Sequence, residues 1–363
     1  MDTSDPEITF DAAGVCSHCH RYDAIVADRV IQDPATRDAA LGRFVDGARK
    51  AGRGRDYDCV IGVSGGVDST YVAYLTKELG LRPLAVHLDN GWNSELAVAN
   101  IQQTLDRLKI DLYTHVMDWE SFRDLQLSFL KASTPYGEIP TDHAIYALLI
   151  RKATEMGIRT MLSGMNFRTE GGRVEAWAYG HSDWRYIRGV HRQFGSVPLA
   201  NYPHYTPPYL GYALARGLKM VSVLNYVDFV KTDALATLVD ELGYRPYVSK
   251  HYESVYTRFY QGYVLPAKFG IDKRRLHESD LLRAGQSTRD EALAVLEHPP
   301  YEPGLLRQDR AFVVKKLGLA EADFEALMAL PRRTFRDYPN SAGRNRRLRV
   351  VFDGLRQRGL IPR

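Results

Sequence analysis

Apolar residues along this chain fall first into short runs and later into helical spacing. Cys59-Val60-Ile61-Gly62-Val63 is an unbroken run behind Asp58, the pattern of a strand buried on both faces. Val72, Leu75 and Leu79 then share one face of a predicted helix. Residues 83–88 predict a second strand that ends at Asp89-Asn90-Gly91. Val98, Ile101, Leu105 and Leu108 place a helix over 94–108. Residues 113–117, 160–163 and 219–224 read as a third, fourth and fifth strand, the last one after a helix over 210–216. Strands alternating with helices predict an α/β fold, a doubly wound parallel five-stranded sheet. From about residue 226 the pattern gives a mainly helical C-terminal region, with helices over 231–242, 250–263, 289–297 and 321–330. Upstream, residues 1–55 are an N-terminal extension with a helix near 34–51 and the linker Gly52-Arg53-Gly54-Arg55. The expected division is therefore 1–55, an α/β domain over 56–225, and a helical substrate or partner region over 226–363.

Composition narrows the class. Hydrophobic residues make up 45% and charged residues 25% of the 363 positions, as in an ordinary globular protein. No run approaches the roughly 20 apolar residues that span a bilayer, so no membrane insertion is expected. The first residues carry acids and no apolar run, unlike a signal peptide. Three cysteines make no disulfide framework, and the expected location is the cytoplasm. The net charge of +4 is too small to point to nucleic acid. The charge is uneven, however: residues 331–363 hold ten arginines against Asp337 and Asp353. That tail fits phosphates, RNA or an acidic partner, and fits a solvated helical face equally well.

The chemistry concentrates in Ser64-Gly65-Gly66-Val67-Asp68-Ser69, between the first predicted strand and its helix. Ligands of parallel sheets bind at this carboxyl edge. Gly65 and Gly66 carry no side chains, so backbone N–H groups can approach a phosphate. Ser64 and Ser69 supply hydroxyls, and the helix N-terminus adds positive potential. The loop lacks the Gly-Lys-Ser/Thr ending of a Walker loop, so it is a nucleotide cradle of another kind.

Ile61 to Ser69 resembles the PP-loop of the N-type ATP pyrophosphatases, a family that includes asparagine, NAD and GMP synthetases and several tRNA thiolases. Its members split ATP between the α- and β-phosphates, adenylate a carbonyl oxygen, and let a nitrogen or sulfur nucleophile displace AMP. The resemblance implies that Ser64, Gly65, Gly66, Val67, Asp68 and Ser69 bind ATP, with Asp68 on magnesium. A narrower resemblance runs through Asp2-Thr3-Ser4-Asp5-Pro6-Glu7-Ile8, the Cys16 and Cys19 pair, His87 to Glu95, Pro140-Thr141-Asp142-His143, Ser163-Gly164-Met165-Asn166 and the long run from Lys250 to His277. These segments are similar to the N-acetyl sugar amidotransferases of surface-polysaccharide synthesis. That family converts the acetamido group of a nucleotide-activated sugar to an acetamidino group, with ammonia from a separate glutaminase and its cyclase-like partner.

Further site candidates follow from position. Asp89 ends the second strand on the ligand edge, suited to magnesium, ribose or ammonium, or to a simple turn before Asn93 as a helix cap. Trp92 is a candidate pocket wall, and Asn93 a substrate contact. Gly164 and Asn166 follow the fourth strand on the same edge, and Asp142 and His143 open a predicted helix. In the helix expected over 250–263, Tyr252, Tyr256, Phe259 and Tyr263 form a core stripe. His251, Ser254, Arg258 and Gln261 form a polar one. Lys250 and Arg258 are candidate catalytic cations for phosphate, His251 a substrate contact, and Lys268, Lys273 and Arg274 further phosphate candidates. Cys16 and Cys19 have the spacing of half a zinc site. The family pattern has a second pair upstream that this chain lacks; the alternatives are a start that is internal, a site that has decayed, or help from His18 or His20. The competing expectation is a PP-loop sulfurtransferase acting on tRNA or a small metabolite, though no cysteine stands in a persulfide-carrier position. A non-catalytic binding subunit is a third, which the intact loop disfavours.

Overall fold

The computed structural model describes residues 1–248 and 250–346; most of the arginine-rich tail, from 347 on, lies outside them. Five parallel strands form one sheet: β1 (Cys59–Gly62), β2 (Pro83–Asp89), β3 (Asp111–Val116), β4 (Thr160–Ser163) and β5 (Lys219–Ser222). Their spatial order is β3-β2-β1-β4-β5, the doubly wound arrangement that the alternation predicts. The chain winds outward from β1 through β2 to β3, then returns to lay β4 on the other side of β1. Ile61 pairs with Ala85 on one side and Leu162 on the other.

Alternation along the strands divides the apolar residues between two faces. Val60, Leu84, Val86 and Met161 face one core, which the helices Trp119–Ala132, Ile139–Glu155 and Trp184–Phe194 cover. Cys59, Ile61, Ala85 and Leu162 face the other, against the helices Pro34–Ala51, Val67–Glu78 and Glu95–Leu108. Central β1 is buried on both faces, whereas edge strand β3 alternates between exposed and half-buried, which is why its pattern is weaker in the sequence.

The C-terminal region is helical from Lys231–Leu242 onward. The change of pattern at 226 does not mark a break in packing. Tyr256, Phe259 and Tyr260 are buried in the same core as Trp92, Phe122 and Phe129. The helix expected over 250–263 starts later, at Val255, with Ser254 as its cap, and continues into a π-helical stretch, Tyr260–Phe269. Residues 250–254 instead form a crossing segment, a turn over 250–253 that ends in an isolated bridge at Ser254. Asn93 and Ser254 make an antiparallel bridge, Ser94 N–H donates to Glu253 O (2.9 Å) and Val255 N–H to Trp92 O (2.9 Å). This stitching hangs His251 and Glu253 over the carboxyl edge of the sheet. At the other end, Arg275 pairs with Asp2 and Arg283 donates to His18 O (2.6 Å), fixing the N-terminal extension to helix Arg274–Arg283.

Candidate active site

Strand order reverses between β1 and β4, so the loop after β1 opens at the topological switch point. Gly65 has φ +82°, and a Cβ there would lie 2.8 Å from Ala97 O; only glycine fits both conditions. Its carbonyl accepts hydrogen bonds from Tyr244 (2.9 Å) and Tyr247 (3.1 Å). Ser64 and Ser69 are 3.1 Å apart at their hydroxyls, and Ser69 and Thr70 both donate to Gly66 O. The loop is thus tied down from inside and outside. Helix Val67–Glu78 begins with Gly66 and no side-chain cap. The amides of Val67, Asp68 and Ser69 therefore have no acceptor within the helix and remain available to an anion.

These groups line a cavity of about 340 Å³ together with Glu170, Lys231, Tyr247, Lys250, His251 and Glu253. Asp68 Oδ1 is buried without a hydrogen-bonding partner. Burial, then the nearby Glu170 charge, push Asp68 up to about 6, against the opposing pull of Lys231, Lys250 and His251. Lys250 Nζ lies 2.6 Å from Glu170 Oε1. Burial lowers the Lys250 pKa, but Glu170 and Asp68 outweigh it and the net direction is up, so the ammonium stays charged. Burial raises the Glu253 pKa, but His251, 3.5 Å away, a backbone N–H and Lys250 together outweigh it and the net direction is down. His251 itself has φ +65°, an unfavourable conformation for a residue with a Cβ. The bridge at Ser254 and the neighbouring ion pairs hold it there.

Several expected site residues converge on this cavity: Ser64, Gly66, Val67, Asp68, Ser69, Lys250 and His251 line it directly. Gly164 stands behind Asp68, where a Cβ would come within 3.2 Å of the Asp68 backbone. Asp89 and Asn93 belong to a neighbouring turn. Asp89 Oδ1 accepts from Gly91 N–H (2.9 Å) and Asn93 Nδ2 (3.3 Å), and Asn93 also donates to His87 Nε2 (2.9 Å). Ser94, not Asn93, caps the following helix.

Other candidates are placed elsewhere. Trp92 is core rather than pocket wall: it is 1% exposed, donates its indole N–H to Gln126 (2.7 Å) and packs on Trp119 and Tyr256. His143 is fully buried, stacked on Tyr205 with its Nδ1 bonded to His181 O (2.7 Å). Burial lowers its pKa to about 4, so it is a neutral packing residue. Asn166 is fully buried and caps helix Phe167–Glu170, although its Nδ2 has no partner. Arg258 does not reach the loop's cavity. It forms a double hydrogen bond with Asp309 (2.7 Å to Oδ1) in an adjoining cavity lined by Tyr252, Lys273, Arg274 and His277. Lys273 pairs with Glu138, and Arg274 with Asp272, while Lys268 donates to Leu327 O. Each of these cations is engaged within the protein.

The cysteine pair does not fit zinc. Cys16 and Cys19 sulfurs lie 3.4 Å apart, but His18 turns to Asp5 (2.7 Å) and His20 to Asp11 (2.8 Å). Among the described residues no group of three or more His, Cys, Asp or Glu side chains is arranged around a metal position. Magnesium is a different case: it needs one or two carboxylates, with water and phosphate oxygens supplying the rest, and the unpartnered Asp68 oxygen suits it.

The site also contains residues the sequence reading did not select: Glu170, Lys231, Tyr244, Tyr247 and Glu253. Lys231 left a signal, because it is a cation at a helix N-terminus, where the dipole opposes it. The tyrosines left none, since their role depends on a chain crossing.

The family described as "LPS biosynthesis protein WbpG-like, C-terminal domain" matches residues 253–351, which includes the helices behind the crossing segment. No curated protein matches the chain. Among solved structures, the NMN synthetase of Francisella tularensis is similar with a TM-score of 0.39 and 15% identity, over 80% of this chain and 98% of that one; so loose a likeness has no bearing on function. No helix among the described residues is long and apolar enough to cross a membrane.

Proposed function

We propose that this protein is an ATP-dependent amidotransferase of surface-sugar biosynthesis. It adenylates the N-acetyl carbonyl of a nucleotide-activated sugar and replaces that oxygen with ammonia-derived nitrogen, giving an acetamidino group. The reading rests on one observation above the others. An uncapped helix N-terminus and the unpartnered Asp68 carboxylate face one cavity, between Lys231 and Lys250, at the switch point of a parallel sheet. That set recognises a polyphosphate and its cation. The match of the C-terminal helices to a lipopolysaccharide-biosynthesis family supports a sugar as acceptor.

An amide carbonyl is a poor electrophile, and adenylation gives its oxygen a leaving group. The amides of Val67 to Ser69 and the ammonium of Lys250 bind and orient the phosphates. The crossing segment covers the cavity and keeps water from the activated carbon. Magnesium, when bound at Asp68, neutralises phosphate charge. A sulfur carrier is poorly supported: Cys59 is buried in β1, its thiol pushed up by burial, and no cysteine is among the described residues that line the cavity. The nitrogen source is ammonia, and glutamine becomes usable only with a separate glutaminase and its cyclase-like partner; among the described residues that line the cavity none is a cysteine nucleophile for an acyl-enzyme. Incubating the chain with ATP, magnesium, ammonium and a panel of nucleotide-activated N-acetyl sugars tests this by mass spectrometry. The expected product has exchanged one oxygen for NH; an unaltered sugar throughout the panel would refute the reading.

A further inference from the structure

Helix Pro207–Ala215 reads Pro-Pro-Tyr-Leu-Gly-Tyr-Ala-Leu-Ala, with no charged residue, yet Ala213 is its one buried side chain. A surface helix ordinarily turns a charged or polar face to water. Here Tyr212 is 50% and Leu214 47% exposed, and a Cβ at Gly211 would meet nothing within 4 Å. Met220 extends the apolar patch. It is 49% exposed on edge strand β5, and its register partner Met161 faces the core that also receives Ala213. Paired residues in a sheet point to one side, so Met220 lies on the helix's side of the sheet.

Cations gather beside this patch. A cavity of about 280 Å³ opens at the amino edge of the sheet, lined by Arg55, Arg159 and Arg216 and by no acid among the described residues. Arg159 directly precedes β4, and Leu218, also in the lining, directly precedes β5. The Arg55 guanidinium occupies the space a side chain would need at Gly157, and Arg159 Cδ lies 3.5 Å from the Cβ position of Gly217. Arg216 folds over Tyr212, its guanidinium carbon 5.6 Å from the ring centroid and Nη1 3.3 Å from the hydroxyl. Two nearby acids are committed elsewhere, Asp58 to Arg82 and Glu155 to Lys152, each at 2.8 Å. Helices Ile139–Glu155 and Pro207–Ala215 both end here. Each C-terminus carries about half a negative charge, so the two together balance one arginine of the three.

We propose that this face docks on the surface of an anionic phospholipid bilayer, with a headgroup phosphate in the arginine cavity and Tyr212 and Leu214 at the acyl boundary. An uncharged, exposed helix beside surplus cations is satisfied where apolar chains and anionic headgroups meet. Free phosphate would fill the cavity and leave the helix in water. A second copy of this chain would bring two sets of arginines into one interface. Docking of this kind needs no membrane-spanning helix. The phosphate loop opens at the opposite, carboxyl edge of the sheet, so the docked protein keeps its cleft open to water-soluble substrates.

Vesicle flotation tests the proposal with the full chain and two variants. One carries Arg55→Gln, Arg159→Gln and Arg216→Gln, the other Tyr212→Ser and Leu214→Ser. All five positions are exposed, and both variants are expected to melt like the unaltered protein. The unaltered chain should float with vesicles of equal parts phosphatidylcholine and phosphatidylglycerol, more weakly as salt is raised, and bind poorly to phosphatidylcholine alone. Each cation removed should cost about fivefold in partitioning, roughly a hundredfold for the triple variant. The Tyr212 and Leu214 variant should lose about tenfold or more. No binding to the mixed vesicles would overturn the proposal. So would binding that both variants keep undiminished, which would place the contact elsewhere on the chain. Sedimentation velocity without vesicles is run alongside. A dimer of the unaltered chain that Tyr212→Ser with Leu214→Ser turns into a monomer would make the face an interface between copies, and would overturn the proposal too.

Discussion

Asp68 is held in a state that the unliganded fold disfavours. Its folded pKa of about 6 lies above its ordinary 3.8, so the native chain binds the proton more tightly than the unfolded one. Stability of the free protein therefore declines as pH rises from about 4 to about 6 and stays reduced above that. Asp68→Asn removes the penalty. It is expected to raise the melting temperature by about 2 °C without ligand while lowering product formation by about a hundredfold or more. A lower melting temperature with full activity would place Asp68 in the structure rather than the chemistry. Arg258 carries the opposite expectation. The sequence favours it as a phosphate-binding cation, but its guanidinium is spent on Asp309, which is itself buried and also bonded by Tyr301. Arg258→Ala should lower stability by about 3–5 kcal/mol, because it strands that carboxylate. Urea unfolding measures this; unchanged stability with lost turnover would return Arg258 to the catalytic set.

Among the elements, the phosphate loop and the crossing segment depend on each other. Tyr244 and Tyr247 lie between helix Lys231–Leu242 and the crossing segment, and both hydroxyls end on Gly65 O. Replacing both with phenylalanine removes two hydrogen bonds worth about 0.5–1.5 kcal/mol each. The expected result is a raised KM for ATP with little change in KM for the acceptor; equal effects on both would mean that the tyrosines do not act through the loop. This coupling also shows where sequence reading succeeds and where it stops. The run 59–63 and the glycines behind it carry their own explanation, since burial on two faces and a positive φ are written in residue type. Strand β4 and the helices at 231–242 and 289–297 appear where apolar spacing placed them. The start of the helix at Val255 was not legible: His251, Ser254, Arg258 and Gln261 keep helical spacing, yet the backbone bonds of 253–255 go to Trp92 and Ser94. Polar partners such as Asp309 for Arg258, or Asp5 for His18, lie far away in sequence and leave no local period. The surroundings of Trp92 and His143 are illegible in the sequence for the same reason: each is a polar-tipped ring whose partner is supplied by another element.

At the scale of the whole molecule, the parallel sheet supplies the edge, the helices after Val255 close it, and the cleft between them holds the phosphate cradle. The central claim is that the acceptor's own carbonyl oxygen attacks the α-phosphorus of ATP. Isotopic labelling of that oxygen tests it directly. An acceptor sugar carrying 18O in the N-acetyl carbonyl is turned over with ATP, magnesium and ammonium, and the nucleotide products are weighed. The account predicts AMP bearing the 18O label, unlabelled pyrophosphate and a sugar that has lost the label. ADP with labelled inorganic phosphate, or a product sugar that retains its 18O, would contradict it.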